Sequence, residues 1–206
     1  MKQKVFLFLS ISIIFVHADL IAFNSYLAPN VTHLTFSDPY FEEGYQISSN
    51  IGSDFHGVFS KDLEPLVTSN NGSDFFAWCG YCDSELKMTL ERADSELFSI
   101  TGFDIAHLAV DQWVPGLSII ATGHLEDGGQ VSQAFKVEEN AWEHYSFLPS
   151  FKNLVSLDLE AVGGEKGQSV SIDNLVVNRV SVPEPSSLAY LIMCIPALLI
   201  FKRKHK

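Results

Sequence analysis

Leu86-Lys87-Met88-Thr89-Leu90, Leu97-Phe98-Ser99-Ile100-Thr101-Gly102-Phe103-Asp104-Ile105-Ala106 and Leu117-Ser118-Ile119-Ile120-Ala121-Thr122-Gly123 are the stretches whose reading decides the fold. In them apolar and small or polar side chains alternate, the period of a strand with one face buried; a helix repeats every three or four residues. The same rhythm covers Val131 to Val137, Tyr145 to Leu148, Leu154 to Leu159 and Val170 to Val177. Turn formers separate the runs: Val114-Pro115-Gly116, Glu126-Asp127-Gly128-Gly129 and Gly163-Gly164-Glu165-Lys166-Gly167. Ser84 to Ser95 is rich in helix formers, but Leu86, Met88 and Leu90 alternate, so this segment is read as strand. Short strands at such spacing predict an all-β domain, an antiparallel β-sandwich or barrel.

Working outward, residues 33 to 78 give weaker signals, with His33 to Phe36 and Phe55 to Phe59 set among Gly, Ser, Asn and Asp. They predict two or three early strands joined by long loops. No heptad, nucleotide-binding glycine pattern or internal repeat is present.

The two ends have a different character. Residues 1–18 carry Lys2 and Lys4, an apolar run from Val5 to Val16, and Val16-His17-Ala18 before Asp19. That is the layout of a secretory signal, with signal peptidase expected to cut after Ala18. The run spans twelve positions, short of the about 20 a membrane-spanning helix needs. At the other end, Val182-Pro183-Glu184-Pro185-Ser186-Ser187 precedes an apolar segment, 188–201, and the basic tail Lys202-Arg203-Lys204-His205-Lys206. The prolines stop a helix from continuing upstream. The basic tail stays cytoplasmic, which leaves everything before the segment outside. At about 1.5 Å per residue the fourteen residues of 188–201 reach only ~21 Å as a helix, so they form a weak or temporary anchor.

The order of motif, apolar segment and basic tail over 182–206 resembles the PEP-CTERM sorting signal of Gram-negative bacteria. The resemblance implies that an exosortase, a membrane cysteine protease, recognises Pro183, Glu184 and Pro185 and processes the chain nearby. Glu96 to Val177 resembles a jelly-roll domain common in such proteins and related to carbohydrate-binding modules. It rests on the Phe98 to Ala106 and Leu117 to Gly123 runs, on Trp142-Glu143-His144-Tyr145-Ser146-Phe147 and on Ile172-Asp173-Asn174-Leu175-Val176-Val177. The expected organisation is a signal peptide at 1–18, a β-sandwich domain at 19–181 and a sorting signal at 182–206.

Charge narrows the partners. All 25 acidic residues of the chain lie between Asp19 and Pro185, with seven of its 13 basic ones, so that region carries −18. Nucleic acid and anionic membrane surfaces both require a basic footprint and are excluded as partners; contact with a membrane is expected only through the C-terminal segment. Calcium, which takes carboxylate ligands, is compatible. Its candidates are Glu42 and Glu43, near the domain start, and Asp173, near its end. A solvated acidic loop and a carboxylate holding a strand-end turn explain them more simply, because calcium needs about six oxygens.

Cys79 and Cys82 are the exported domain's one cysteine pair, in a compartment where disulfides persist. Trp78-Cys79-Gly80-Tyr81-Cys82 has the local form of a thioredoxin-type redox motif, but Asp74, Asp83 and Glu85 flank it, and negative charge raises a thiol pKa. A structural disulfide is the expected state. Trp113 and Tyr81 are the candidate sugar-stacking residues, while Trp142 and Tyr145 are expected in the core. The histidines show no metal spacing, and no serine sits in a nucleophile elbow. The sequence therefore points to an exported, non-enzymatic surface or matrix protein that binds polysaccharide. Its rivals are a periplasmic thiol-disulfide oxidoreductase using Cys79 and Cys82, and a purely structural matrix component.

Overall fold

In a computed structural model, residues 16–23, 33–35, 39–49, 57–60, 72–78, 86–108, 116–137, 141–163 and 169–180 are described. Nearly all of them belong to one compact unit, Ala18–Arg179. They form β1 (Val16–Ile21), β2 (His33–Thr35), β3 (Tyr40–Glu42), β4 (Tyr45–Ser49), β5 (Gly57–Phe59), β6 (Phe75–Trp78) and β7 (Leu86–Arg92). After these come β8 (Phe98–Leu108), β9 (Ser118–Leu125), β10 (Gln130–Lys136), β11 (Glu143–Ser146), β12 (Leu154–Val162) and β13 (Ser169–Val180). None of the described residues is helical, and among them no helix is long and apolar enough to cross a membrane.

The thirteen strands of the described residues connect into one branched hydrogen-bonded sheet, but a single residue pair, Leu154 with Phe98, joins its two halves. One half runs β2-β5-β6-β13-β8-β11, with β1 also along β13; the other runs β3-β4-β7-β12-β9-β10. The pairings are antiparallel wherever their register is defined. The result is the antiparallel β-sandwich that the alternation predicts. Met88, Leu90, Leu157, Leu159, Ile119 and Ala121 from one sheet share a core with Phe98, Ile105, Val170 and Ile172 from the other. Phe103, Phe135, Phe147 and Phe151 form an aromatic cluster with edge-on and tilted ring contacts at separations of 4.8 to 5.0 Å. Each such pair adds roughly 0.5–1.5 kcal/mol beyond the area it buries.

Side chains tie β10 to the end of β11. The Gln133 amide donates to the Ser146 carbonyl at 3.1 Å and accepts from the Leu148 amide at 2.8 Å, pairing with that backbone as a strand would. The Tyr145 hydroxyl reaches the Lys136 carbonyl, at the end of β10, at 2.6 Å.

Among the described residues five strands, β2 to β6, fall between 33 and 78, more than the two or three expected there. The β3–β4 hairpin shows why. It turns on two residues only, Glu43 (φ 50°) and Gly44 (φ 80°), the left-handed pair of a tight hairpin turn. Such strands are too short for alternation to register. Burial pushes the hydroxyl of Tyr45, the first residue after this turn, up to about 12, with the charge of Arg92 pulling the other way. The expected cut after Ala18 falls inside β1, where the buried Asp19 carboxylate accepts from Arg179 Nε at 2.5 Å.

Candidate functional site

The register sets out the outward face of the second sheet in rows. One row reads Phe41, Gln46, Glu91, Ser156, His124 and Gln130 across β3, β4, β7, β12, β9 and β10. The next reads Ser48, Thr89, Asp158, Thr122 and Ser132, and the third Lys87, Glu160, Ile120 and Ala134. On β4, β7, β12 and β9 these residues alternate with buried neighbours such as Ile47, Met88, Leu90, Leu157, Leu159 and Ala121, which puts them on the face away from the core. Six strands about 4.8 Å apart make the first row roughly 24 Å long.

Five of these side chains form one hydrogen-bonded cluster, and two more form a separate pair. Asp158 is the hub of the cluster, accepting from Lys87 Nζ at 2.6 Å and Thr89 Oγ1 at 2.7 Å, with His124 Nε2 at 2.8 Å. The other ring nitrogen of His124 lies 3.2 Å from the Gln130 amide, and Gln46 donates to Glu91 at 3.0 Å. The Asp158 side chain is 11 % exposed. Burial pushes its carboxyl up, but the bonds from Lys87, His124 and Thr89 outweigh that and hold it below the ordinary carboxylate range. At the end of the first row Phe41 is 56 % exposed. The face thus offers one flat aromatic surface beside a polar strip whose donors and acceptors are fixed in place.

The other sheet's outer face is different. Phe59, Phe75 and Ala77 are buried there with Trp142 packed against them, Phe75 and Trp142 meeting edge-on at 5.6 Å. Nearby, His144 Nδ1 lies 2.7 Å from Asp104, whose other carboxylate oxygen accepts from Asn174. Trp142, expected in the core, is only partly buried and packs against this separate cluster, while Tyr145 packs against the main core, 5.5 Å from Phe135.

The carboxylates considered for calcium have separate local partners. Glu42 accepts from the Phe23 amide at 3.0 Å and from the Tyr40 hydroxyl at 2.9 Å. Glu43 forms the hairpin turn and lends its carbonyl to Arg179. Asp173 is fully buried at a bulge in β13, where Ser73 and the Asn174 amide donate to it. Among the described residues no group of three or more His, Cys, Asp or Glu is arranged to hold a metal. Cys79, Tyr81, Cys82 and Trp113, like Pro183, Glu184 and Pro185, lie outside the described residues. The strand leading to Cys79, β6, pairs antiparallel with both β5 and β13, unlike the parallel strand that precedes a thioredoxin-type motif.

Sequence reasoning did not pick out Phe41, Asp158, His124 or Lys87. The outward parity of Asp158 in its strand is a usable signal; its partners come from other strands and emerge only with the register.

Fold and face together define an antiparallel jelly-roll β-sandwich with one polar, hydrogen-bonded sheet face. No family model and no curated protein matches the chain. Among solved structures it is similar to a family 29 carbohydrate-binding module, with a TM-score of 0.47 and 14 % identity over 84 % of this chain and 98 % of that one. It is also similar to a family 61 module in complex with β-1,4-galactotriose (TM-score 0.40, 13 % identity, 66 % of this chain and 89 % of that one). A third is the F5/8 type C domain of a Bacteroides fragilis protein (TM-score 0.43, 9 % identity, 70 % and 97 %). Likeness at this level concerns the chain trace and transfers no site residue.

Proposed function

We propose that the protein is an exported, non-enzymatic polysaccharide-binding protein whose second sheet lies along a glycan chain. The observation that carries this reading is the polar cluster around Asp158 on the sheet face, with exposed Phe41 at the end of the neighbouring row. A sugar ring has an apolar C–H face and a polar rim. It suits an aromatic plane beside fixed donors and acceptors, an arrangement common to small-molecule sites.

The charges favour a neutral polymer. Lys87 is committed to Asp158, while Glu91 and Glu160 stand on the same face, and the region from Asp19 to Pro185 carries −18. A uronate-rich polymer would meet carboxylates at each step.

Delivery follows the sequence: signal peptidase releases Asp19 onward, the 188–201 segment tethers the protein transiently, and an exosortase processes it near Pro183-Glu184-Pro185. The protein is then left at the cell surface or in the matrix. Mass spectrometry of the surface form checks this step, and an intact Lys206 there would overturn it.

Affinity electrophoresis of the full chain in gels of neutral glucan, mannan, galactan and the producer's own exopolysaccharide tests the binding. Phe41→Ala is expected to weaken retardation about tenfold, equivalent to ~1.4 kcal/mol. Equal retardation of variant and parent, or none in any gel, would refute the assignment of this face.

A further inference from the structure

We infer that the cleft at the β9–β10 turn is a second sugar site, holding a terminal or branch residue of a polysaccharide; this rests on the polysaccharide-binding reading. The cleft measures about 340 Å³, within the roughly 300–1,000 Å³ range of small-ligand sites. Leu125 and Val131 line it, both partly buried and packed against the core. Glu126, Asp127, Ser150 and Lys152 supply polar groups.

Both walls are held in shape before any ligand arrives. On one side, Gly128 N donates to the Leu125 carbonyl at 3.0 Å, Leu125 N to the Gly129 carbonyl at 2.9 Å, and Gly129 N to Asp127 Oδ1 at 2.9 Å. On the other, Phe151 is buried in the core and its amide donates to the Leu148 carbonyl at 3.0 Å, while Asn153 holds a left-handed conformation at φ 55°. A preformed cleft saves the ordering entropy that a floppy one would lose on binding. Among the described residues no hydrogen bond or ion pair engages the Glu126 or Lys152 side chains, so both are available to a ligand.

The chemistry selects the ligand class. An anion would face Glu126 and Asp127, and a hydrocarbon would leave the polar groups unsatisfied. A pyranose ring meets both demands, with C–H groups on Leu125 and Val131 and hydroxyls on the carboxylates and the lysine. The cleft is bounded by a turn on each of two sides and suits a chain end or branch, whereas the sheet face, open across six strands, suits the run of a chain.

The test counts bound sugars on the full chain in detergent by native mass spectrometry, using β-1,4-linked trisaccharides of galactose, mannose and glucose as probes. Two equivalents are expected for at least one probe. Glu126→Gln combined with Lys152→Ala should weaken one of them about tenfold or more and leave the other; Phe41→Ala combined with Asp158→Ala should do the reverse. A single equivalent that survives the cleft variant overturns the second site and leaves the sheet face standing. Binding lost in the cleft variant but untouched in the face variant refutes the sheet-face reading instead. Absence of binding by every probe sinks both. Both cleft substitutions are at exposed positions, so an unchanged melting temperature separates lost binding from lost folding.

Discussion

Asp158→Ala tests whether the polar strip is a fixed part of the fold. The carboxylate accepts from Lys87, Thr89 and His124 at 2.6, 2.7 and 2.8 Å, yet Lys87 is 40 % and His124 35 % exposed. A shielded bond to a charged group contributes ~1.5–3 kcal/mol, whereas an exposed ion pair contributes only ~0.2–1 kcal/mol. Crediting Thr89 with about 1.5 kcal/mol and each of the partly exposed partners Lys87 and His124 with about 0.5 gives a cost near 2.5 kcal/mol. In a domain of this size that lowers the melting temperature by roughly 5–10 °C. The pH dependence follows from the depressed carboxyl. A group whose folded pKa lies below its unfolded value of about 3.9 contributes stability in full above that value and loses it as pH falls through the folded pKa. Urea unfolding of parent and variant should therefore differ fully at neutral pH, and the gap should narrow below about pH 4. A neutral-pH gap under about 0.5 kcal/mol, the size of an ordinary surface change, would refute the reasoning. So would a gap that is the same in acid.

Two further substitutions probe the frame that carries the face. Gln133→Ala removes both bonds that tie β10 to the backbone of Ser146 and Leu148, at a cost of about 1–2 kcal/mol; hydrogen exchange at the Leu148 amide should accelerate more than at Ile119, inside β9. Gly163→Ala places a Cβ 2.3 Å from the Gly116 carbonyl oxygen at φ 76°, and adds that clash to a left-handed cost of about 1–2 kcal/mol. Its thermal midpoint should fall clearly below that of Gly128→Ala, where φ is 83° but nothing lies within 4 Å.

The second half of the domain was legible because its strands are long and one-sided. The run read as Leu117 to Gly123 overlaps most of β9, and Leu154 to Leu159 lies inside β12, where buried Leu157 and Leu159 bracket outward Asp158. Val170 to Val177 lies inside β13, although the bulge after Asp173 shifts its register there. The first half was not legible in this way: β2, β3 and β5 have three residues each, too few to establish a period. Phe41 illustrates the consequence. Within Phe41-Glu42-Glu43-Gly44 the carboxylates drew attention as metal ligands, but the tight turn at Glu43 and Gly44 pairs Phe41 with Gln46 and puts its ring at the end of the polar row. The site resisted reading for a related reason. Lys87, Thr89, His124, Gln130 and Asp158 lie on four strands, and none belongs to a motif with fixed spacing. Their meeting depends on β12 lying between β7 and β9 with Asp158 opposite both Thr89 and Thr122. A one-residue slip of β12 would turn Asp158 into the core and Leu157 into solvent. The burial of Leu157 and Leu159 therefore fixes the position of the hub, and the hydrophobic pattern that specifies the fold also assembles the polar face.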